Sequence, residues 1–228
     1  MNRSRAVAVV AIWLTIGVSS LHAQDLSRYR AYVLDSSLDA VRSIGGVRVT
    51  DARTVHARPA RIQELEWRAP YVSSGEEMAD PVRTLTFLFY NDALFQITAD
   101  YDESRIEGLT VADLVATLSS TYGTPVPAAA RAGVRRSTSV PSDMPVLAAW
   151  ESPTTSMLLL RAAYSSGLQL VLVSKTLAAQ AKSAIREAER LDVTEAPRRE
   201  LERQHQEAVE AEASRIKTRD TNKAAFRP

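Results

Sequence analysis

The chain has 228 residues, 45% of them hydrophobic, with 28 Lys and Arg against 27 Asp and Glu, and it has no cysteine. The near-zero net charge gives no electrostatic footprint for binding nucleic acid or an anionic membrane. Without cysteine the protein has no disulfide, thiolate metal site or thiol nucleophile, so core packing alone must hold the domain together.

Residues 1–23 are typical of a cleaved export signal. Arg3 and Arg5 give a positive start, and the uncharged apolar stretch that follows them is too short to span a bilayer comfortably. Ala23 ends a sequence that resembles a signal-peptidase site, which predicts a mature protein from Gln24 in the periplasm or outside the cell. The alternative is an uncleaved N-terminal anchor. No other segment approaches the length of a membrane span.

The first structural unit is predicted to cover residues 24–107 and to begin with a short helix over 36–46. Ser36 or Ser37 can cap this helix, and Gly45-Gly46 can end it. Its apolar face is predicted to consist of Leu38, Val41 and Ile44.

Three strands are expected after this helix. Residues 61–70 alternate between apolar and polar, with Leu65 and Trp67 on the apolar face. Residues 85–102 read as two further strands joined by a turn at Asn91-Asp92.

A second unit, residues 108–175, repeats this order of elements. Residues 108–125 predict a helix capped by Thr110 and ended by Gly123. A strand over 146–153 and two strands within 156–175 follow, and Trp150-Glu-Ser-Pro153 parallels Trp67-Arg-Ala-Pro70. We therefore predict an α+β fold in which two tandem helix-plus-three-strand units pack as one antiparallel-sheet domain, followed by C-terminal helices. The alternative is that these short matches are coincidental.

Two helices are predicted at residues 176–219, with a tail at 220–228. The first should pack one apolar face on the body. The second is expected to begin at Thr194 with Pro197 in its first turn, and its mixed charges predict a solvated helix. A strip for a coiled-coil partner, carried by Leu201, Val209 and Ile216, is the alternative. Residues 131–145 are interpreted as a flexible connection.

Few residues of the mature chain point to catalysis or metal binding. Its only histidines, His56 and His205, lie far apart in sequence and suggest no Ser-His-Asp triad. Asp100-x-Asp102-x-Ser104 matches the first three ligand positions of a calcium-binding EF-hand loop. The match ends where Arg105 replaces the glycine. We predict no catalytic, metal or cofactor-binding residue, and a non-enzymatic protein is favoured.

Six residues are candidates for contact with a partner. A strand over 85–90 is apolar on both faces, so its second face must meet another sheet, a C-terminal helix, a second chain or a ligand. The long loop at 71–80 is the other place where a binding surface is expected. The candidates are Tyr71, Glu76, Glu77 and Met78 in the loop and Leu88 and Tyr90 on the strand.

An exported chain with two αβββ-like units, helices that end in glycine and a tryptophan on the first strand of each unit resembles the β-lactamase-inhibitor-protein-like architecture. The resemblance covers about residues 34–178. That group includes secreted tandem-repeat inhibitors and small lipoproteins of outer-membrane assembly, and this chain lacks the cysteines of both. The resemblance implies a non-enzymatic protein that presents a sheet face and loops to another protein.

The expected function is therefore that of an exported protein-interaction module. Its partner is expected to be another envelope or secreted protein, and a homodimer is compatible with the sequence. An exported small-ligand binder, or a metal-dependent binder or hydrolase that uses Asp100 and Asp102, is the alternative.

Overall fold

A computed structural model describes residues 25–46, 50–69, 80–136, 138, 140, 143–161, 167–225 and 227. The strands are β1 (Arg28–Tyr29), β2 (Tyr32–Val33), β3 (Arg53–His56), β4 (Ile62–Arg68), β5 (Val82–Tyr90), β6 (Ala93–Tyr101), β7 (Val146–Glu151), β8 (Thr155–Arg161) and β9 (Leu168–Ser174). The helices are α1 (Leu38–Gly45), α2 (Val111–Tyr122), α3 (Arg131–Arg136) and α4 (Lys175–Ala225). Seven strands form one antiparallel sheet in the order β3-β4-β5-β6-β9-β8-β7, which confirms the predicted α+β class.

The first two helices begin at the predicted caps. The Ser37 hydroxyl accepts a hydrogen bond from the Ala40 amide, 3.3 Å away, at the start of α1. At α2 the cap is reciprocal, because the Thr110 hydroxyl accepts from the Asp113 amide while the Asp113 carboxylate accepts from the Thr110 amide. Gly123 ends α2 with a φ of 86°, a conformation that favours glycine.

The turn between β5 and β6 consists of Asn91 and Asp92, as predicted. Their φ angles of 46° and 75° are those of a tight hairpin turn in which both central residues are left-handed. The Asn91 side-chain oxygen accepts from the Arg61 amide at 2.9 Å, and the Asp92 carboxylate accepts from the Leu38 amide at 3.2 Å. The two side chains thus tie the turn to the start of β4 and to the start of α1.

The two halves of the sheet mirror each other in strand order. The strands of the first unit lie in the order β4-β5-β6, and those of the second unit continue the sheet in the order β9-β8-β7. The third strand of the first unit, β6, therefore pairs with the third strand of the second unit, β9. Corresponding rows of directly paired residues are Trp67–Leu85–Ala99 and Trp150–Met157–Leu172. This order is the one that duplication of a helix-plus-three-strand unit predicts.

One face of the sheet, which we call the first face, is buried beneath the N-terminal segment, α1 and α2. Both tryptophans lie in its core, with exposed fractions of 6% for Trp67 and 1% for Trp150. The Trp150 indole N–H donates to the Gly123 carbonyl at 2.7 Å, which links β7 to the end of α2. Ile44, predicted on the buried face of α1, is 47% exposed instead, because it lies in the last turn of this short helix beyond the edge of the core.

The opposite, second face of the sheet is partly covered by α4. Leu88 and Tyr90 are partly exposed and pack against a cluster that includes Ala178 and Ala181 of this helix. The sequence left four possible coverings for the second face of this strand: another sheet, a C-terminal helix, a second chain or a ligand. Around Leu88 and Tyr90 the structure shows the C-terminal helix.

The predicted pair of C-terminal helices is wrong, because α4 is a single helix of 51 residues with Pro197 inside it. Proline removes one backbone donor from the helix, and the helix nevertheless continues through Pro197. The Arg199 guanidinium donates to the Asp192 carbonyl at 3.3 Å and to its carboxylate at 2.8 Å. Thr194 is not a cap, since its hydroxyl donates to the Arg190 carbonyl within the helix.

The predicted tail at 220–228 is also helical as far as Ala225. Neither glycine nor a second proline occurs between 198 and 225, so nothing in the chain ends the helix earlier. The predicted flexible connection at 131–145 contains α3, which contacts β7 and β8. Val134 in α3 and Met144 are buried, with exposed fractions of 1% and 8%, because they cover apolar residues of the second face.

Candidate functional site

The second face of the sheet changes character halfway across. Its central row of directly paired residues crosses six strands and consists of Glu66, Thr86, Thr98, Val171, Leu158 and Ala149. The first three are polar and partly exposed. The last three are apolar, with exposed fractions of 1% or less. Paired residues on adjacent strands share one face, so this change occurs within one continuous surface.

The apolar half of this face is core. Val171 and Leu158 belong to the cluster formed with Val134 of α3 and Ala178 and Ala181 of α4. Leucine and valine at this position stabilise the fold only if another layer covers them. The short helix and the base of α4 form that layer.

The other half is polar, and we call it the polar half-face. It consists of Glu64, Glu66, Arg68, Thr84, Thr86, Gln96, Thr98 and Asp100 on β4, β5 and β6. All of these are partly exposed except Arg68, which is exposed. Alternation in the sequence could have revealed the surface, because Thr84 and Thr86 on β5 and Gln96 and Thr98 on β6 recur with the period of a strand.

Side chains of the polar half-face bond to each other and to neighbouring residues, such as Arg53 of β3, which pairs with Glu64 at 3.1 Å. The Gln96 amide N–H donates to the Thr98 hydroxyl at 3.2 Å, and the Gln169 amide N–H donates to the Asp100 carboxylate at 2.8 Å. Arg68 pairs with Glu66 at 2.5 Å. Within the part of the chain that the structure describes, the side-chain oxygen of Gln96 is buried without a hydrogen-bond partner. These groups form a flat network of donors and acceptors at the surface.

The six predicted contact residues fall in two places. Leu88 and Tyr90 lie on the second face beside the polar half-face, packed against the cluster beneath α4. Tyr71, Glu76, Glu77 and Met78 lie outside the described residues. Contact of all six with a partner stays a prediction.

Asp100 and Asp102 have different hydrogen-bond partners. Asp100 lies on the polar half-face, whereas the Asp102 carboxylate accepts from the amide and hydroxyl of Ser104, at 2.9 and 2.7 Å. The hydrogen bond from the Ser104 side chain lowers the pKa of Asp102. Across the described ranges, no group of three or more His, Asp or Glu side chains is arranged to hold a metal ion.

The two histidines of the predicted mature chain also lie apart. His56 is partly exposed on β3, and His205 is exposed in the distal part of α4. Neither histidine belongs to the polar half-face.

A cluster of tyrosines lies on the first face, where the N-terminal hairpin meets β6 and α2. The hydroxyls of Tyr29 and Tyr101 are 3.4 Å apart. Burial raises the pKa of both, and it raises the pKa of Tyr122 to about 12. Phenols with raised pKa values stay protonated at neutral pH, so they act here as hydrogen-bonding groups and not as bases.

An ion pair fixes the same hairpin to the start of β5. Arg30 donates two hydrogen bonds to the Asp80 carboxylate, at 2.6 and 2.7 Å, and stacks over the Tyr29 ring. The paired geometry is the strong, bidentate form of the arginine–carboxylate contact. The Arg30–Asp80 pair therefore attaches the N-terminal segment to the sheet.

None of the helices among the described residues combines the length and apolar character that crossing a membrane requires. Comparison with protein-family models, with curated proteins and with solved structures found no match to this chain.

Proposed function

We propose that the chain is an exported, non-enzymatic interaction module that binds another envelope or secreted protein on its polar half-face. The single observation that carries the proposal is the change along the central row of the second face. Thr86 and Thr98 are partly exposed, whereas the next two residues of the same row, Val171 and Leu158, are buried.

Threonine is well suited to a strand surface that is exposed to water in the free protein and contacts a partner in a complex. Its branched side chain favours the extended backbone, and its hydroxyl can donate and accept hydrogen bonds. In the free protein water satisfies these groups, so the half-face needs no covering layer. In a complex the same groups can form the direct hydrogen bonds that a protein interface contains, about ten on average.

The sheet supplies rigidity beneath these groups. The first face of β5 and β6 carries Leu85, Phe87 and Ile97, each at most 1% exposed. A surface that is ordered before binding loses less conformational entropy in the complex. The polar half-face therefore offers a preformed surface to its partner.

Cleavage at the predicted site keeps every residue of the described fold. Leu26, three residues beyond the predicted cleavage site, is only 6% exposed and packs in the core of the first face. Cleavage after Ala23 leaves this residue in the mature protein. N-terminal sequencing of the protein from the producing cells should begin at Gln24, and a chain that retains Met1 contradicts export with cleavage.

Site-specific photo-crosslinking tests the binding surface. A photoreactive amino acid is placed at Thr86, on the polar half-face, or at Thr54 as the matched control. Thr54 is an exposed threonine of the same sheet, but its pairing with Gln63 puts it on the first face. We expect a discrete protein adduct from position 86 and none from position 54. Equal adducts from both positions, or none from position 86, contradict the proposal.

A further inference from the structure

The distal half of α4, residues 196–225, extends away from the sheet. Glu195 is partly exposed and pairs with Arg58 of the body, and among the described residues no ion pair further along α4 reaches the body. Every described residue from 196 to 225 is exposed. At 1.5 Å per residue this part of the helix is about 45 Å long.

Exposed apolar side chains lie along one side of this distal half. Leu201, Val209 and Ile216 have exposed fractions of 67%, 53% and 54%. At 3.6 residues per turn they fall within about 80° of one another around the helix axis. Such a stripe does not stabilise a helix that is surrounded by water. It stabilises a helix that packs against another helix, because the apolar side chains are then buried.

Charge is divided along the same segment. Residues 200–212 carry five glutamates and one arginine, a net charge of −4, and residues 213–228 carry five basic residues and one aspartate, a net charge of +4. Ion pairs within the helix engage only some of these groups, such as Arg203 with Glu200 at 2.7 Å. Among the described residues, Glu210 and Arg215 form no ion pair, so they are free to pair with another chain.

We propose that two copies of this protein associate through the distal halves of their α4 helices, in antiparallel orientation. A parallel pair would place −4 beside −4 and +4 beside +4. An antiparallel pair centred between residues 212 and 213 places the acidic segment of each copy beside the basic segment of the other. The complementary charges therefore select both the partner, a second copy, and its orientation.

The same register aligns the apolar stripe. Val209 of one copy lies opposite Ile216 of the second copy, and Glu210 lies at the same level along the axis as Arg215 of the second copy. With few large apolar residues in the contact, association should be weak and should depend on salt. This interface is distinct from the polar half-face, so it does not rest on the function proposed above.

Sedimentation analysis of the mature full-length chain is the first test. The apparent mass should rise toward that of a dimer with concentration in about 0.1 M salt. In about 1 M salt, where the Debye length falls from about 10 Å to about 3 Å, association should weaken about tenfold or more. A mass that stays monomeric at all concentrations, or an association that salt does not weaken, contradicts the proposal.

Charge reversal tests the complementarity. The double variant Glu202→Lys, Glu210→Lys and the double variant Arg215→Glu, Lys223→Glu should each associate about tenfold or more weakly than the natural chain. An equal mixture of the two should recover association, because one distal half is then basic and the other acidic. Unchanged association of either variant alone, or no recovery in the mixture, contradicts the proposed contact.

Single cysteines test the orientation in a chain that has none. Glu212→Cys should form a disulfide-linked dimer under mild oxidation, because residue 212 lies next to the centre of the antiparallel pair. Leu201→Cys lies on the same stripe but about 35 Å from its equivalent in the second copy, so it should form no disulfide-linked dimer. Crosslinking of both variants indicates a parallel pair and contradicts the proposal, as does crosslinking of neither.

Discussion

The two halves of the second face show what a continuous β-sheet surface becomes with and without a covering layer. Leu158 and Val171 lie beneath α3 and α4 and are at most 1% exposed. Thr86 and Thr98 continue the same row on β5 and β6 and remain partly exposed. Both halves are antiparallel sheet with a few register shifts, and they differ in their side chains and in the helices that cover them.

The contrast separates residues that hold the fold from residues that are free to bind. In the apolar half, each side chain contributes by leaving water and packing against a second layer. The residues of the polar half-face stay partly or fully exposed, so they contribute less in this way and can serve another purpose. If this is correct, equivalent substitutions in the two halves should differ strongly.

The largest expected difference is between two alanine substitutions on the central row. Leu158→Ala removes a fully buried side chain and should lower the free energy of unfolding by about 2–5 kcal/mol. Thr86→Ala, on the same row but partly exposed, should change it by about 0.5 kcal/mol or less. Denaturant unfolding of both variants measures the difference. Equal losses would mean that the polar half is as closely packed as the apolar half.

The next effect concerns α4, which packs on β5, β6 and β9. Ala178, on the buried side of α4, is 3% exposed, whereas its neighbour Ala179 is exposed. Ala178→Arg should lower the free energy of unfolding by at least about 1–3 kcal/mol, because a large charged side chain does not fit a closely packed contact. Ala179→Arg serves as the matched control and should be nearly neutral. If both variants melt at the same temperature, the base of α4 does not seal this face.

A smaller effect should appear at high pH, where the attachment of the N-terminal hairpin to the first face is tested. The folded-state pKa of Tyr122 is raised to about 12, above the value of about 10 for an unfolded chain. Its contribution to stability is therefore complete below about pH 10 and is lost as the pH rises through about 12. Tyrosinate absorbance should show part of the tyrosines titrating late, and the denaturant midpoint should fall over this range.

Tyr122→Phe is the control for that experiment. The variant lacks the phenol that titrates late, so its midpoint should fall less over the same pH range. A natural chain in which all tyrosines titrate together near pH 10 would contradict the buried cluster of Tyr29, Tyr101 and Tyr122.

Local signals in the sequence predicted much of the fold. Caps and stops placed α1 and α2, and the Asn91-Asp92 turn and the alternation around Trp67 and Trp150 placed the sheet. These features depend on residues a few positions apart. The continuity of α4 through Pro197 was missed, because a proline close after a possible cap at Thr194 is also the local pattern of a helix start.

The candidate site was less accessible to sequence reasoning. Thr84, Thr86, Gln96 and Thr98 appeared as polar interruptions of apolar strands. Their assembly into one surface depends on the register between β5 and β6 and on where α4 crosses the sheet. Leu88 and Tyr90 stood out because both faces of their strand were apolar, and the structure shows that α4 packs beside them.

The most direct test of the polar half-face combines a blocking substitution with a crosslinker. A photoreactive amino acid at Thr98 is compared in the natural background and with Thr86→Arg, whose long charged side chain should obstruct a partner without reaching the core. We predict a discrete protein adduct in the natural background, its loss with Thr86→Arg, and the same melting temperature for both proteins. An adduct that persists with Thr86→Arg, or the absence of an adduct in the natural background, would contradict the claim that this half of the sheet is a binding surface.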